Sequence, residues 1–311
     1  MEPGRVELVT VDRRRPPPGC ITVDVEGCGV CGSNLPVWQG RSWFGYPMDP
    51  GAPGHEAWGH VAELGDGVEG RAVGDRVAML ADRAFADAVV VSADEVVTLP
   101  GGLGGRPFPG EALGCGFNVA LRSGFASGQT VCVVGIGFLG AVVVARAAAA
   151  GATVVAVSRR PFSLEVARAM GASVTLAFDD GDDVVERVSE LTGGRLCDVV
   201  VEAVGAQAPL DLAGRLTRER GRLVIAGFHQ DGARTVDLQL WNWRGLDVVN
   251  AHERDPKGAL SGIAAAASAV ASGAFDPSIL YTHRYPLDRL GDAMDAMVVR
   301  PHGFLKALVY S

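Results

Sequence analysis

Two hydrophobic rhythms divide the chain near residue 118. Before that point apolar and polar residues alternate in short runs: Val6-Glu7-Leu8-Val9, Ile21-Thr22-Val23-Asp24-Val25, His60-Val61-Ala62-Glu63-Leu64, Arg76-Val77-Ala78-Met79-Leu80 and Ala88-Val89-Val90-Val91. Gly and Pro turns separate them, as at Pro16-Pro17-Pro18-Gly19. A period of two between turn residues predicts short strands, and the scarcity of helical pattern predicts a small antiparallel, barrel-like domain. After residue 118 near-continuous apolar runs alternate with helical segments. The runs cover 130–134, 153–157, 174–177, 198–202, 222–226 and 246–249; the helical segments cover 139–150, 164–170, 183–192 and a stretch from about residue 209. Apolar strands spaced by helices predict a doubly wound, six-stranded parallel α/β sheet. The spacing becomes irregular again after about residue 275, and a last strand is expected at 305–310. The predicted division is therefore 1–118 with 275–311 in one domain, and 119–274 in the other.

Composition narrows the function classes. The chain has 311 residues, 48% hydrophobic and 21% charged, so a sizeable core can form. A net charge of −8 argues against a nucleic-acid partner. The only apolar helical run of note, 140–152, is short, broken by Arg146, and reads as a buried helix rather than a membrane span. The start of the chain is polar and charged, unlike a signal peptide. Six scattered Cys do not form a disulfide framework, and a reducing, cytoplasmic compartment is expected.

Gly135-Ile136-Gly137-Phe138-Leu139-Gly140 follows a predicted strand and opens a predicted helix. That context turns a weak pattern into a dinucleotide-binding turn. The first Gly permits the tight bend, the second admits a pyrophosphate, and the third lets helix and strand pack, with the helix N-terminus facing the phosphates. The next strand ends at Ser158-Arg159-Arg160. A carboxylate there would hold a ribose 2′-hydroxyl, whereas a hydroxyl and two guanidiniums suit a 2′-phosphate. NADP(H) is therefore expected over NAD(H).

Cys31, His55 and Cys115 are candidate metal ligands. Two thiolates and one imidazole form a three-ligand zinc site with its fourth position open, the catalytic arrangement. Cys28-x-x-Cys31 can also be read as a redox dithiol or half of a structural zinc site, but no second CxxC follows, and Cys28 reads better as a small buried residue.

These residues, taken together, resemble the zinc-dependent medium-chain dehydrogenase/reductases, nearest their polyol and threonine dehydrogenase branch. The resemblance rests on Gly29-Val30-Cys31-Gly32-Ser33-Asn34, Gly54-His55-Glu56, Gly74-Asp75-Arg76-Val77 and Leu113-Gly114-Cys115-Gly116, and it spans almost the whole chain. It implies a GroES-like barrel domain joined to a Rossmann domain, and homodimers or homotetramers paired through the last strand of the cofactor sheet. It implies one catalytic zinc on Cys31, His55 and Cys115, Glu56 beside the metal, Ser33 as acceptor of the alcohol proton, and Lys306 near the cofactor phosphates. The implied reaction moves hydride between NADP(H) and an alcohol or carbonyl, with a secondary alcohol of a polyol, sugar or cyclitol as a guessed substrate. Three departures stand out. Asn34 replaces the Asp that would support the ligand His, Pro36 replaces a His of the proton relay, and 74–91 lacks the four Cys of a structural zinc lobe. Two other readings stay open: a zinc-independent reductase of C=C or C=N bonds, and a non-catalytic NADPH-binding protein.

Overall fold

A computed structural model describes residues 1–178 and 181–311. In chain order the elements begin with β1 (Cys20–Gly29), α1 (Leu35–Trp38), β2 (Glu56–Leu64), β3 (Arg76–Met79), β4 (Ala88–Ser92), β5 (Val96–Thr98) and α2 (Gly110–Ser123). Next come β6 (Thr130–Val134), α3 (Phe138–Ala149), β7 (Thr153–Ser158), α4 (Pro161–Ala169), β8 (Val174–Ala177), α5 (Gly181–Leu191), β9 (Cys197–Glu202), α6 (Gln207–Leu216), β10 (Thr217–Ile225), α7 (Leu238–Arg244) and β11 (Asp247–Asn250). The chain ends with α8 (Pro256–Ala271), β12 (His283–Pro286), α9 (Leu290–Val299) and β13 (Ala307–Tyr310). By contact the chain forms two compact units, residues 1–114 with 254–311, and residues 115–253.

In the first unit β1 is the hub of a seven-stranded sheet. One side of β1 pairs with β2 along its length. Its other side is shared, with β4 on 20–24 and β13 on 27–29. The register shifts between Val25 and Gly27, close to where β1 exchanges one partner for the other. Such a bulge bends a strand, as a barrel-like sheet requires. The bend brings backbone close: a Cβ on Gly59 of β2 would lie 2.0 Å from the Asp24 carbonyl oxygen. Inward residues of these strands and of α9, among them Val23, Val61, Val77, Met79 and Met294, form one apolar core.

The expected strand at Val6–Val9 is absent. Residues 6–17 form no regular element, and Leu8, Val9 and Val11 are exposed. Alternation alone does not make a strand where no neighbouring strand takes its backbone hydrogen bonds. The helix α8, which carries a run of alanines, belongs to the first unit, where Gly102 lies against Ala271. The unit boundaries thus fall at 114 and 254, against the expected 118 and 275.

The second unit is a six-stranded parallel sheet in the order β8-β7-β6-β9-β10-β11. All six expected strands are present, each within a few residues of its expected span. Strand order reverses between β6 and β9, the switch point of a doubly wound sheet. Cys132, Val155, Val200 and Leu223 from four strands meet Val188 and Leu212 from the helices in a core of its own. Among the described residues no helix is long and apolar enough to cross a membrane.

The close approach at Gly59 is testable. Gly59→Ala is expected to destabilise the protein by about 1–3 kcal/mol in urea unfolding, because the carbonyl opposite cannot move away without breaking the β1–β2 register. Gly101→Ala, where a Cβ meets open space, should change stability by no more than about 0.5 kcal/mol.

Candidate active site

In the first unit, the turn after β1 and the loop before β2 bring three donors together. Cys31 precedes a single turn of 3-10 helix, Gly32–Asn34, and its backbone N–H donates to Asn34 Oδ1 at 2.9 Å. Gly54 stands where a Cβ would lie 2.3 Å from the Phe85 amide nitrogen, so only Gly lets the 53–56 loop pass there. Cys31 Sγ, a ring nitrogen of His55 and a carboxylate oxygen of Glu56 lie within 4.8 Å of one another. Ser33 Oγ is 3.4 Å from His55 Nε2.

The orientation of His55 follows from a backbone carbonyl. His55 Nδ1 lies 2.8 Å from the Pro53 oxygen, which can only accept. Nδ1 therefore carries a proton, and Nε2, which faces Ser33, is the nitrogen left to a metal once its own proton is lost. The sequence pointed to Asn34 as the group behind this His. The structure corrects that assignment, since Asn34 Nδ2 donates to the same Pro53 carbonyl at 3.2 Å. Asn34 thus steadies the carbonyl that holds His55 and does not stand behind the ring itself. An Asp there would have no N–H to offer.

The field at this cluster is negative. Burial alone would lower the His55 pKa, but contact with Cys31 and the charges of Cys31, Glu56 and Glu111 outweigh it and raise the value to about 10. A thiolate, an imidazole and a carboxylate at this spacing, in a field that favours a positive charge, fit a zinc ion. Cys28 is 2% exposed, and burial, then the charge of Glu56, push its thiol far up, so it behaves as a core residue.

Glu56 is held by Lys306. The two side chains are 1% and 5% exposed, and Lys306 Nζ donates to Glu56 Oε1 at 2.6 Å. Burial lowers the Lys306 pKa, but the charges of Glu56 and Cys31 outweigh this and raise it, so the ammonium stays protonated. Thr282 Oγ1 accepts from the N–H of Leu305 at 2.8 Å and of Lys306 at 3.2 Å, fixing the backbone from which Lys306 departs. A Cβ on Gly29 would lie 1.9 Å from Glu56 Oε2, so that Gly leaves room for the carboxylate. Lys306 was expected near the cofactor phosphates, and its ammonium meets Glu56, since a buried carboxylate needs a counter-charge. The sequence showed a Lys at this place but not its partner, 250 residues away.

In the second unit the Gly135 turn has the geometry of a phosphate cradle. Gly135 has φ +100°, and its N–H donates to the Val157 carbonyl at 2.9 Å. A Cβ on Gly137 would meet nothing within 4 Å, which leaves the start of α3 open to a ligand. On Gly140 it would lie 2.0 Å from the Gly135 carbonyl oxygen, so the third Gly packs on the turn itself and only secondarily on β6. Phe138 and Leu139 form the first turn of α3. Ser158 ends β7, and its Oγ accepts from the Arg160 N–H at 3.3 Å. The Arg159 side chain is exposed and Arg160 is half-buried. Cys115, the third expected ligand, is half-buried on α2 and is the first residue of the second unit.

Comparison with known proteins decides the family. Residues 17–101 match the alcohol dehydrogenase GroES-like domain, and residues 139–261 match the zinc-binding dehydrogenase domain. The chain is 30% identical to L-threonine 3-dehydrogenase of Pyrococcus horikoshii over 269 residues, 75% of each protein. The chain belongs to the zinc-dependent medium-chain alcohol dehydrogenases. It is also 27% identical to sorbitol dehydrogenase of Bacillus subtilis, covering 93% of this chain and 90% of that one. The crystal structure of 2R,3R-butanediol dehydrogenase from Bacillus subtilis superposes with a TM-score of 0.85 at 25% identity, over 100% of this chain and 97% of that one. As a zinc-dependent alcohol dehydrogenase, the protein is an oxidoreductase working with zinc and a nicotinamide cofactor.

Two outcomes follow from the geometry. Zinc needs a neutral imidazole, and His55 keeps its proton up to about pH 10 in the metal-free protein. Zinc uptake at neutral pH should therefore release a proton from His55, and affinity should rise with pH until about pH 10. Calorimetric titration in buffers of different ionisation enthalpy measures this, and His55→Ala should remove that proton. Separately, Lys306→Met should destabilise the fold by about 3–5 kcal/mol by leaving Glu56 buried and unpaired. Adding Glu56→Gln to that variant should recover much of the loss in the same unfolding experiment.

Proposed function

We propose that this protein interconverts a secondary alcohol and its ketone on a small polyol, sugar or cyclitol, with NADP(H) preferred and one zinc per chain. The observation that carries the reading is the convergence of Cys31, His55 and Glu56 within 4.8 Å. Cys31 and His55, which belong to that cluster, and Cys115, which does not and is carried by the family resemblance alone, are the residues that would hold the metal. When bound, zinc supplies Lewis-acid polarisation of the substrate oxygen, and the dinucleotide gives or takes hydride. The chain's own groups set the rest. The Pro53 carbonyl takes the Nδ1–H of His55, so that Nε2, on the Ser33 side, is the nitrogen a metal would take. Ser33 Oγ takes the proton of the substrate hydroxyl and passes its own on to water. The buried Lys306 ammonium pairs with the Glu56 carboxylate and holds it in place beside the donors.

NADP(H) preference rests on Ser158, Arg159 and Arg160, whose hydroxyl and guanidiniums suit a 2′-phosphate and leave no carboxylate to repel it. Gly135, Gly137, Phe138, Leu139 and Gly140 form the turn that would receive the pyrophosphate. The absence of Cys from 74–91 supports a single zinc. The hydroxyl compounds named for the relatives, sorbitol, threonine and butanediol, each carry a second polar group beside the reacting carbon, which supports a polar substrate. All six cysteines stand outside disulfides, which supports a reducing, cytoplasmic setting. The edge strand β11 ends the cofactor sheet with Val248 exposed, which supports a homo-oligomer paired there.

Metal analysis and a substrate screen test this directly. The purified protein should contain about one zinc per chain, and Cys31→Ser should lose both the metal and turnover; less than about half a zinc in the parent protein would sink the proposal. A panel of polyols, amino alcohols and ketones, followed at the reduced-cofactor absorbance, should yield a substrate. Arg159→Ala combined with Arg160→Ala should raise the KM for NADPH by roughly tenfold or more and leave that for NADH nearly unchanged.

A further inference from the structure

A second buried carboxylate stands in the other unit with no role in the scheme above. Glu202 is the last residue of β9 and is 0% exposed. It sits beside β6, where strand order reverses, and ligands of open α/β sheets bind in the crevice at the carboxyl ends of the strands there. Glu202 Oε1 accepts the N–H groups of Val204 and Gly205, both at 2.7 Å. Oε2 lies 3.0 Å from His229 Nε2. Arg234 Nε donates to His229 Nδ1 at 3.0 Å, and Arg234 Nη2 donates to the Gly205 carbonyl at 3.0 Å and to Asp231. The contacts close a ring from Glu202 through His229, Arg234 and Gly205 back to Glu202. A guanidinium only donates, so His229 Nδ1 accepts and its Nε2–H is aimed at the carboxylate.

The ring ties the loop after β9 to the loop after β10. In the first loop, Val204 presses on the cofactor turn, since a Cβ on Gly135 would lie 2.3 Å from Val204 Cγ2. The two loops meet backbone to backbone, and a Cβ on Gly227 would lie 2.1 Å from the Gly205 nitrogen. In the second loop, the exposed Phe228 stacks on His252 just past the end of β11, with ring centroids 6.1 Å apart and planes 11° from parallel. A doubly wound sheet offers one nucleotide site in each half. Ser158 ends β7, and Arg159 and Arg160 follow it, on one side of the Gly135 turn, and the ring stands at the ends of β9 and β10 on the other.

We infer that the Glu202–His229–Arg234 ring builds the wall of the cofactor crevice that receives the nicotinamide half of the dinucleotide, with His229 as its positioning residue. The inference rests on the reading of the Gly135 turn as a dinucleotide site. His229 holds no reacting atom; it joins Glu202 to Arg234 so that both loops keep one conformation before the ligand arrives.

Binding measurements test this without turnover. NADPH and ADP-ribose carrying the 2′-phosphate, which lacks the nicotinamide, are titrated calorimetrically into the parent protein, His229→Ala and His229→Gln. His229→Ala should weaken NADPH about tenfold and the fragment by less than about twofold, the size expected for losing a positioning hydrogen bond. Gln can donate to Glu202 and accept from Arg234, so His229→Gln should recover most of the NADPH affinity. Arg234→Leu, which leaves the Glu202–His229 contact intact, should show the same selective loss and serves if His229→Ala does not fold. Equal weakening of both ligands, or no weakening of either, would overturn the inference. A parent protein that binds neither ligand would overturn the cofactor reading beneath it.

Discussion

Glu56 is a carboxylate almost without water, and residues from both ends of the first unit pair with it and make room for it. An isolated charge in such a place is costly, so it needs an opposite charge with good hydrogen-bond geometry. That charge comes from Lys306, at the far end of the chain. The Lys reaches Glu56 because β13 pairs with β1, while Glu56 begins β2 on the other side of the same strand. Thr282 pins the backbone just before β13, and Gly29 leaves the space the carboxylate fills. The negative field of Glu56 then reaches His55 and helps turn a cluster of donors into a place for a cation.

The second unit solves the same problem with other means. Glu202 is as buried as Glu56, but no ammonium meets it. Two backbone N–H groups take one oxygen and the His229 ring takes the other. The first solution ties the end of the chain to the start of the site. The second ties two loops across neighbouring parallel strands. In both, a carboxylate next to functional geometry takes at least one partner distant in sequence, Lys306 for Glu56 and His229 for Glu202.

The second unit was the more legible in sequence. Parallel strands buried on both faces read as continuous apolar runs, and β6, β7 and β9 stand out for that reason, while the edge strands β8 and β11 are apolar but less buried. The Gly135 turn was legible because its first and third glycines answer steric demands that other residues do not meet, the third packing on the turn more than on the strand, while Gly137 leaves open space. The first unit was less so. Val6–Val9 alternates like a strand yet forms no strand, while the helices α2, α8 and α9 were passed over in the sequence. Cys31, His55 and Glu56 were legible as candidates, since few residue types bind zinc.

What the sequence determined by itself was therefore the chemistry on offer: donors suited to zinc, a glycine turn suited to phosphates, a basic pair after β7, and two folding rhythms. Residue type and local spacing carry that information. What only the tertiary structure decided was partnership. Lys306 belongs to Glu56, Asn34 supports the Pro53 carbonyl in place of the His55 ring, and His229 bridges Glu202 and Arg234. Each of these depends on strand register and on what burial leaves unsatisfied, and neither is set until distant segments pack.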